Sequence, residues 1–152
     1  MAAGTRRQIS NAAAFWDSSV LVALCVRQGL TPVARSLYKA YEIVVWWATP
    51  VEIASALARL KRMQQLDGRE LVQARKLAAD LADVWWVMQS TEAIRAKAAS
   101  LVERHDLRAG DALQLAAALE WCDNQPRGRA FLTADRRLRE AALLNGFDAG
   151  RL

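Results

Sequence analysis

Four short runs of β-branched and aromatic residues recur along this chain, each separated from the next by stretches with helical patterning. AFW at 14–16, YEIVVWWA at 41–48, VWWVMQ at 84–89 and AFLT at 130–133 have the composition of buried strands. Between them, apolar residues recur at the spacing of one helix face. Strands joined through helices do not pair as tight hairpins; the chain returns by crossover and neighbouring strands run parallel. The expected fold is therefore α/β, with a central, mostly parallel sheet of four to five strands flanked by about seven helices.

Local signals set the expected element ends. The pattern predicts a helix from Ser18 to Val26, stopped by Gly29, and a second opened by Pro32 that runs to Ala40. Thr49, Pro50 and Glu52 look like an N-cap, a first helical residue and the glutamate of a capping box, with the helix continuing to Leu66. Asp67 and Gly68 turn the chain into a helix over Arg69 to Leu81, and Ser90 caps a long one ending at His105. Gly110 and Asp111 open an alanine-rich helix to Cys122. Asp135 begins a last helix closed at Gly146, and a fifth strand from Phe147 to Ala149 is a further candidate.

A chain of 152 residues with 53% hydrophobic content can bury a core in one domain without a disulfide or metal staple. That domain is expected over 14–152, preceded by a flexible extension over 1–13. No apolar run reaches the roughly 18 residues of a membrane span, and no apolar stretch of signal-peptide length precedes Phe15, so a cytoplasmic, non-membrane protein is expected. Cys25 and Cys122 lie in helical apolar patterns without CxxC spacing or a nearby histidine, which favours buried thiols over zinc ligands. Lysine and arginine number 21 against 16 acidic residues, a net charge of +5. This favours a polyanionic partner such as nucleic acid without deciding it.

Against that basic background, four stretches each set one carboxylate beside a run of apolar residues: FWDSSVLVAL with Asp17, TPVEIASAL with Glu52, RAGDALQLAAAL with Asp111, and FLTADRRL with Asp135. A carboxylate is costly to bury unless a cation meets it. In parallel sheets functional groups collect beyond the carboxyl ends of the strands, and Asp17, the Thr49 to Glu52 turn and Asp135 each follow a strand. A blander reading stands beside each: Glu52 fits a capping box, and Asp111 and Asp135 fit helix N-termini, where aspartate is favoured by capping and the macrodipole. Asp17, between Trp16 and SSVLVAL, has the least obvious structural role. Ser18, Ser19 and Thr133 either support Asp17 and Asp135 or cap the helices that follow. Arg136 and Arg137 either touch phosphate or form a solvated helix face. His105 is read as a structural residue at a helix end.

FWDSSVLVALCV, VEIASALARL, GDALQLAAAL and FLTADRRLREAALLNGF, in that order, resemble the PIN-domain ribonucleases, and among them the VapC-type toxins of bacterial toxin-antitoxin pairs. The resemblance implies a PIN-like fold and a Mg2+-dependent endoribonuclease, with Mn2+ as a substitute, acting on RNA. It also implies a cognate VapB-type antitoxin and a homodimer. By position, it places the acidic site at Asp17, Glu52, Asp111 and Asp135, with Ser18 or Ser19 and Thr133 as supporting hydroxyls; on chemical grounds Asp17, Asp111 and Asp135 are then expected to hold the metal, directly or through water, and Glu52 either to bind it through water or to orient the attacking hydroxide. A PIN-like nuclease of RNA processing without an antitoxin, and a silent nucleic-acid-binding or scaffold domain, are the alternatives. A silent phosphate binder gains nothing from clustered negative charge.

The chemistry agrees with this set. Hydrolysing a phosphodiester needs an activated water and a counter-charge on the phosphate oxygens, both of which a divalent metal supplies. Magnesium binds through one or two carboxylates and keeps several waters. Because water attacks, and not the ribose 2′-hydroxyl, the expected products carry 5′-phosphate and 3′-hydroxyl ends. The adjacent pairs Trp46 with Trp47 and Trp85 with Trp86 lie on expected strands, so the rings of each pair point to opposite faces. Most are expected in the core, others at a protein interface. The helices at 50–66 and 69–81 are expected to form a groove for a helical segment of a partner.

Overall fold

The computed structural model describes residues 12–152. Its elements follow the order β1 (Ala13–Trp16), α1 (Ser18–Cys25), α2 (Thr31–Ala40), β2 (Glu42–Trp46), α3 (Thr49–Arg62), α4 (Gly68–Ala82), β3 (Trp86–Met88), α5 (Glu92–Arg104), α6 (Ala109–Trp121), β4 (Ala130–Leu132) and α7 (Arg136–Leu144). The four strands form one parallel sheet in the order β3-β2-β1-β4. The fold is thus α/β, with seven helices. Of the extension expected over 1–13, residues 1–11 lie outside the described residues, while Ala13 pairs with Glu42.

The period-two alternation of the strands sorts the core into two layers. Phe15, Val44, Trp46 and Phe131 face α5, α6 and α7, where Leu101, Leu115 and Leu138 meet them. Ala14, Trp16, Ile43, Val45 and Leu132 face α1 to α4, against Leu21, Ile53 and Leu57. Both faces are covered, which is why the strands read as continuous apolar runs. Phe15 stacks on Phe131 with ring centroids 5.5 Å apart and an interplanar angle of 10°.

Chain order places the site. From β1 the chain moves outward to β2 and β3, then returns across the sheet to add β4 on the other side of β1. The β1/β4 boundary is therefore the point where the winding reverses, the position at which parallel sheets open a crevice at their carboxyl ends. The Asp17 amide donates to the Leu132 carbonyl at 2.9 Å, fixing the end of β1 against the end of β4.

Several element ends differ from the expectation. Thr49 is not an N-cap: Ala48 holds that position without a side-chain cap, and Thr49 lies in the first turn of α3, fully buried with no hydrogen-bond partner for its hydroxyl. Helix α3 stops at Arg62, short of Leu66, because Gln64 turns left-handed at φ 57°. There Gln65 N–H bonds the Leu60 carbonyl and Gln64 N–H the Lys61 carbonyl, the Schellman pattern with glutamine where glycine is usual. Gly146, at φ 101°, closes α7 in the same way. Thr91, not Ser90, caps α5, its hydroxyl accepting from the Ile94 amide at 3.2 Å. β3, an edge strand paired on one side, is shorter than the apolar run that marks it. The expected fifth strand at 147–149 is reduced to one parallel bridge between Ala130 and Asp148.

Both cysteines are buried and free. Burial pushes the Cys25 thiol up to about 11. His105 follows α5, half-buried, with its Nε2 3.1 Å from Asn145 Nδ2. Among the described residues no helix is long and apolar enough to cross a membrane.

Candidate active site

Asp17 leaves β1 as the N-cap of α1 and is 5% exposed. Its carboxylate collects hydroxyl groups from both sides of the β1/β4 boundary. Ser19 Oγ donates to Oδ2 at 2.5 Å, Thr133 Oγ1 donates to the same oxygen at 2.9 Å, and Ser18 Oγ lies 3.4 Å from Oδ1. The outer layer is tied in as well: the Ala134 amide donates to Ser19 Oγ at 3.0 Å and the Asp135 amide to Thr133 Oγ1 at 3.0 Å. The three hydroxyls therefore orient Asp17; Asp17 itself caps α1 by accepting from the Ser19 amide.

Glu52, half-buried in the first turn of α3, makes no capping box. Its Oε2 accepts from Gln114 Nε2 of α6 at 2.6 Å, and its Oε1 faces Trp46 Nε1 of β2 at 3.4 Å. Both partners are donors, so the pair holds Glu52 as a carboxylate acceptor and swings it away from its own helix terminus. Asp111 lies in the first turn of α6, half-buried. Asp135 is exposed and caps α7, Oδ1 accepting from the Leu138 amide at 2.9 Å. Its bland reading as a cap is thus real, and it coexists with its place beside Thr133.

Charge coupling joins the set. Burial lifts the Asp17 carboxyl above its ordinary range, opposed by the hydrogen bonds from Ser19 and Thr133. Glu52 is raised by burial and, more weakly, by the Asp17 charge, against the hydrogen bonds from Gln114 and Trp46. Asp111 is raised by burial, then by Asp135 and Asp17, and Arg108 offsets part of this. Asp17 is the common neighbour. That neighbouring carboxylates raise both Glu52 and Asp111 is what acids gathered near one another do.

The donor set is all-oxygen and acidic, which fits a hard divalent cation such as Mg2+. Among the described residues no group of three or more His, Cys, Asp or Glu side chains is closed tightly enough to hold an ion unaided. The fit is therefore to an ion held by one or two carboxylates that retains its waters, as Mg2+ does.

Arg136 and Arg137 stand exposed just beyond Asp135, paired with Glu140 and Asp106 at 3.2 Å each. Arg139, one turn along α7, points inward and its guanidinium donates to the Thr133 carbonyl at 3.4 Å.

A family model for the PIN domain matches residues 14–144, which take in all four strands but for Ala13 and all four acidic positions. The chain belongs to the PIN domain family. PIN domains are in general metal-dependent nucleases. No curated protein matches this PIN domain. Among solved structures, a chain of a toxin-antitoxin complex from Klebsiella pneumoniae is similar in fold, with a TM-score of 0.56 at 15% sequence identity, covering 81% of this chain and 87% of that one.

Sequence reasoning missed Gln114 and Trp46. Gln114 is the polar residue on the buried face of ALQLAAAL, 1% exposed, and it sits three residues after Asp111 on the same side of the helix. A glutamine in that apolar run was the available signal. Replacing it tests the clamp. Gln114→Leu is expected to change the melting temperature little, since losing the buried, partnerless Gln114 Oε1 offsets the hydrogen bond that Glu52 Oε2 gives up. Nuclease turnover is expected to fall by about 10–100-fold with KM unchanged, as when the supports of site ligands are lost. Steady-state kinetics beside a thermal melt decide it, and unchanged kcat sinks the clamp.

Proposed function

We propose that this PIN domain is a VapC-type toxin: a Mg2+- or Mn2+-dependent endoribonuclease that hydrolyses RNA phosphodiester bonds and is neutralised by a cognate VapB-type antitoxin. The observation that carries the reading is the gathering of Asp17, Glu52, Asp111 and Asp135 around the carboxyl ends of β1, β2 and β4. The fold likeness to a chain of a toxin-antitoxin complex supports the second half.

In this reading Asp17, Asp111 and Asp135 hold the metal, directly or through water. Once bound, the ion supplies counter-charge to the phosphate and lowers the pKa of the attacking water. Asp17 is fixed for that role by the hydroxyls of Ser18, Ser19 and Thr133, so its orientation costs little reorganisation during the reaction. Glu52, held as an acceptor by Gln114 and Trp46, orients the attacking water. Arg136 and Arg137 take phosphates flanking the scissile bond. Their present ion pairs are solvated and weak, so exchange for phosphate is cheap. The groove expected between the helices has a counterpart in a cavity of about 320 Å³ between α3 and α4, lined by Ile53, Leu57, Ala78 and Trp85 among others; in this reading it takes a helical segment of the antitoxin. A homodimer in the cytoplasm completes the proposal.

The test is cleavage of a structured RNA by the purified chain with Mg2+ and with EDTA, followed by end-mapping. Cleavage only with metal, leaving 5′-phosphate and 3′-hydroxyl ends, is expected. Metal-independent cleavage, or 2′,3′-cyclic ends, rules the mechanism out. Co-expression with the product of a neighbouring small reading frame then separates a toxin from a processing nuclease, since only the toxin is silenced by it.

A further inference from the structure

Trp47 is left unused by the site. It follows β2 directly, with its amide donating to the Met88 carbonyl at 2.9 Å, so its backbone is held by the sheet. Its ring packs edge-on against Trp46, centroids 6.4 Å apart at 67°, and Trp46 is the ring whose Nε1 faces Glu52 at 3.4 Å. Yet Trp47 is 56% exposed, while Trp46 is 6% exposed. A large aromatic surface is thus fixed toward solvent one ring away from a site carboxylate, on the sheet edge where the other carboxylates lie.

Single-stranded nucleic acid is held by cationic grooves and by aromatic side chains on which bases stack. Close to four carboxylates the first device is weakened, because the same field that gathers a metal repels phosphate. An uncharged ring is not penalised there. We propose that Trp47 is a stacking platform for an unpaired nucleobase next to the phosphate that is cleaved. The proposal rests on the nuclease reading and names the chemistry of its substrate at that position: single-stranded RNA, with little preference among bases, since every base has a π-face.

The experiment measures binding of a short unstructured single-stranded RNA by fluorescence anisotropy in EDTA, with Asp17→Asn as the parent so that the RNA stays intact. Adding Trp47→Ala is expected to weaken binding by about tenfold or more, while Trp47→Tyr retains most of the affinity. The slope of log affinity against log salt stays the same, because a stacked base releases no counterion. In the otherwise unaltered enzyme, Trp47→Ala raises KM and leaves kcat in place, the mark of lost uniform binding. Equal affinity of the alanine variant and its parent for an RNA that the unaltered enzyme cuts overturns the proposal. So does an alanine variant that binds RNA normally but no longer associates with a protein partner or a second copy, which makes Trp47 a protein-docking residue. If the unaltered chain neither binds nor cuts RNA, the nuclease reading fails and the stacking role falls with it.

Discussion

Asp17→Asn is expected to melt several degrees above the unaltered protein in EDTA while losing nuclease activity by about a thousandfold. The two effects share one cause. The Asp17 carboxylate is buried and its ionisation is opposed by that burial, so the folded metal-free chain carries a charge that the unfolded chain hydrates freely. Asparagine keeps an oxygen for the Ser19 and Thr133 hydroxyls and serves equally well as an N-cap. Each kcal/mol relieved is worth about 2–4 °C at this length. Activity moves the other way, because counter-charge on the phosphate is worth several kcal/mol and each 1.36 kcal/mol is about tenfold.

The pH dependence of that difference has a defined sign. Asp17 titrates near 3.8 in the unfolded chain and higher in the fold, so the folded state holds the proton more tightly. This stabilisation is present below the unfolded value and is lost as pH rises through the folded one. The melting-temperature advantage of Asp17→Asn is therefore expected to widen as pH rises above the unfolded value, and to shrink when a divalent metal replaces EDTA. Thermal melts at a series of pH values measure it, and an advantage that narrows with rising pH contradicts the account. Proteins commonly hold catalytic residues at a cost in stability.

The second large effect lies two residues upstream. Phe15→Ala is expected to cost about 3–5 kcal/mol, the usual penalty for emptying a buried aromatic position, and so to lower the melting temperature by roughly 6–20 °C. Phe15 is fully buried in the central strand, stacked on Phe131 and tilted against Trp121 at 6.3 Å. It joins β1, β4 and α6, which carry Asp17, Thr133 and Asp111. Denaturant unfolding should show the loss in the midpoint. A shift worth less than 1 kcal/mol would mean that the neighbouring rings repack into the space.

What was legible in the sequence follows from the range of each signal. The four strands and seven helices read well because each is marked by its own residues. The convergence of Asp17 and Asp135 was legible through a rule about sheet edges, without knowing which strands are neighbours. Glu52 was harder: threonine, proline and glutamate at those spacings describe a capping box, and only a glutamine 62 positions away reveals that the carboxylate is held elsewhere. The helix start moved one residue upstream for the same kind of reason. Thr49 is drawn into the core, so Ala48 takes the cap position without a side chain able to fill it. Ser18, Ser19 and Thr133 had two readings from sequence, and their hydrogen bonds to Asp17 across the β1/β4 boundary are long-range facts that no local window contains.

The bond between Thr133 and Asp17 spans 116 residues, and it has a consequence during translation. A chain emerging from the ribosome can pair β1 with β2 and bring Glu52 alongside Asp17 well before residues 130–135 exist. Until that late segment is made, Asp17 lacks one of the three hydroxyls that orient it, and the Asp135 carboxylate is missing altogether. Every nascent intermediate therefore lacks part of this carboxylate and hydroxyl cluster, as does any chain cut short before Ala130. The arrangement is therefore complete only once β4 and the residues that follow it have joined β1.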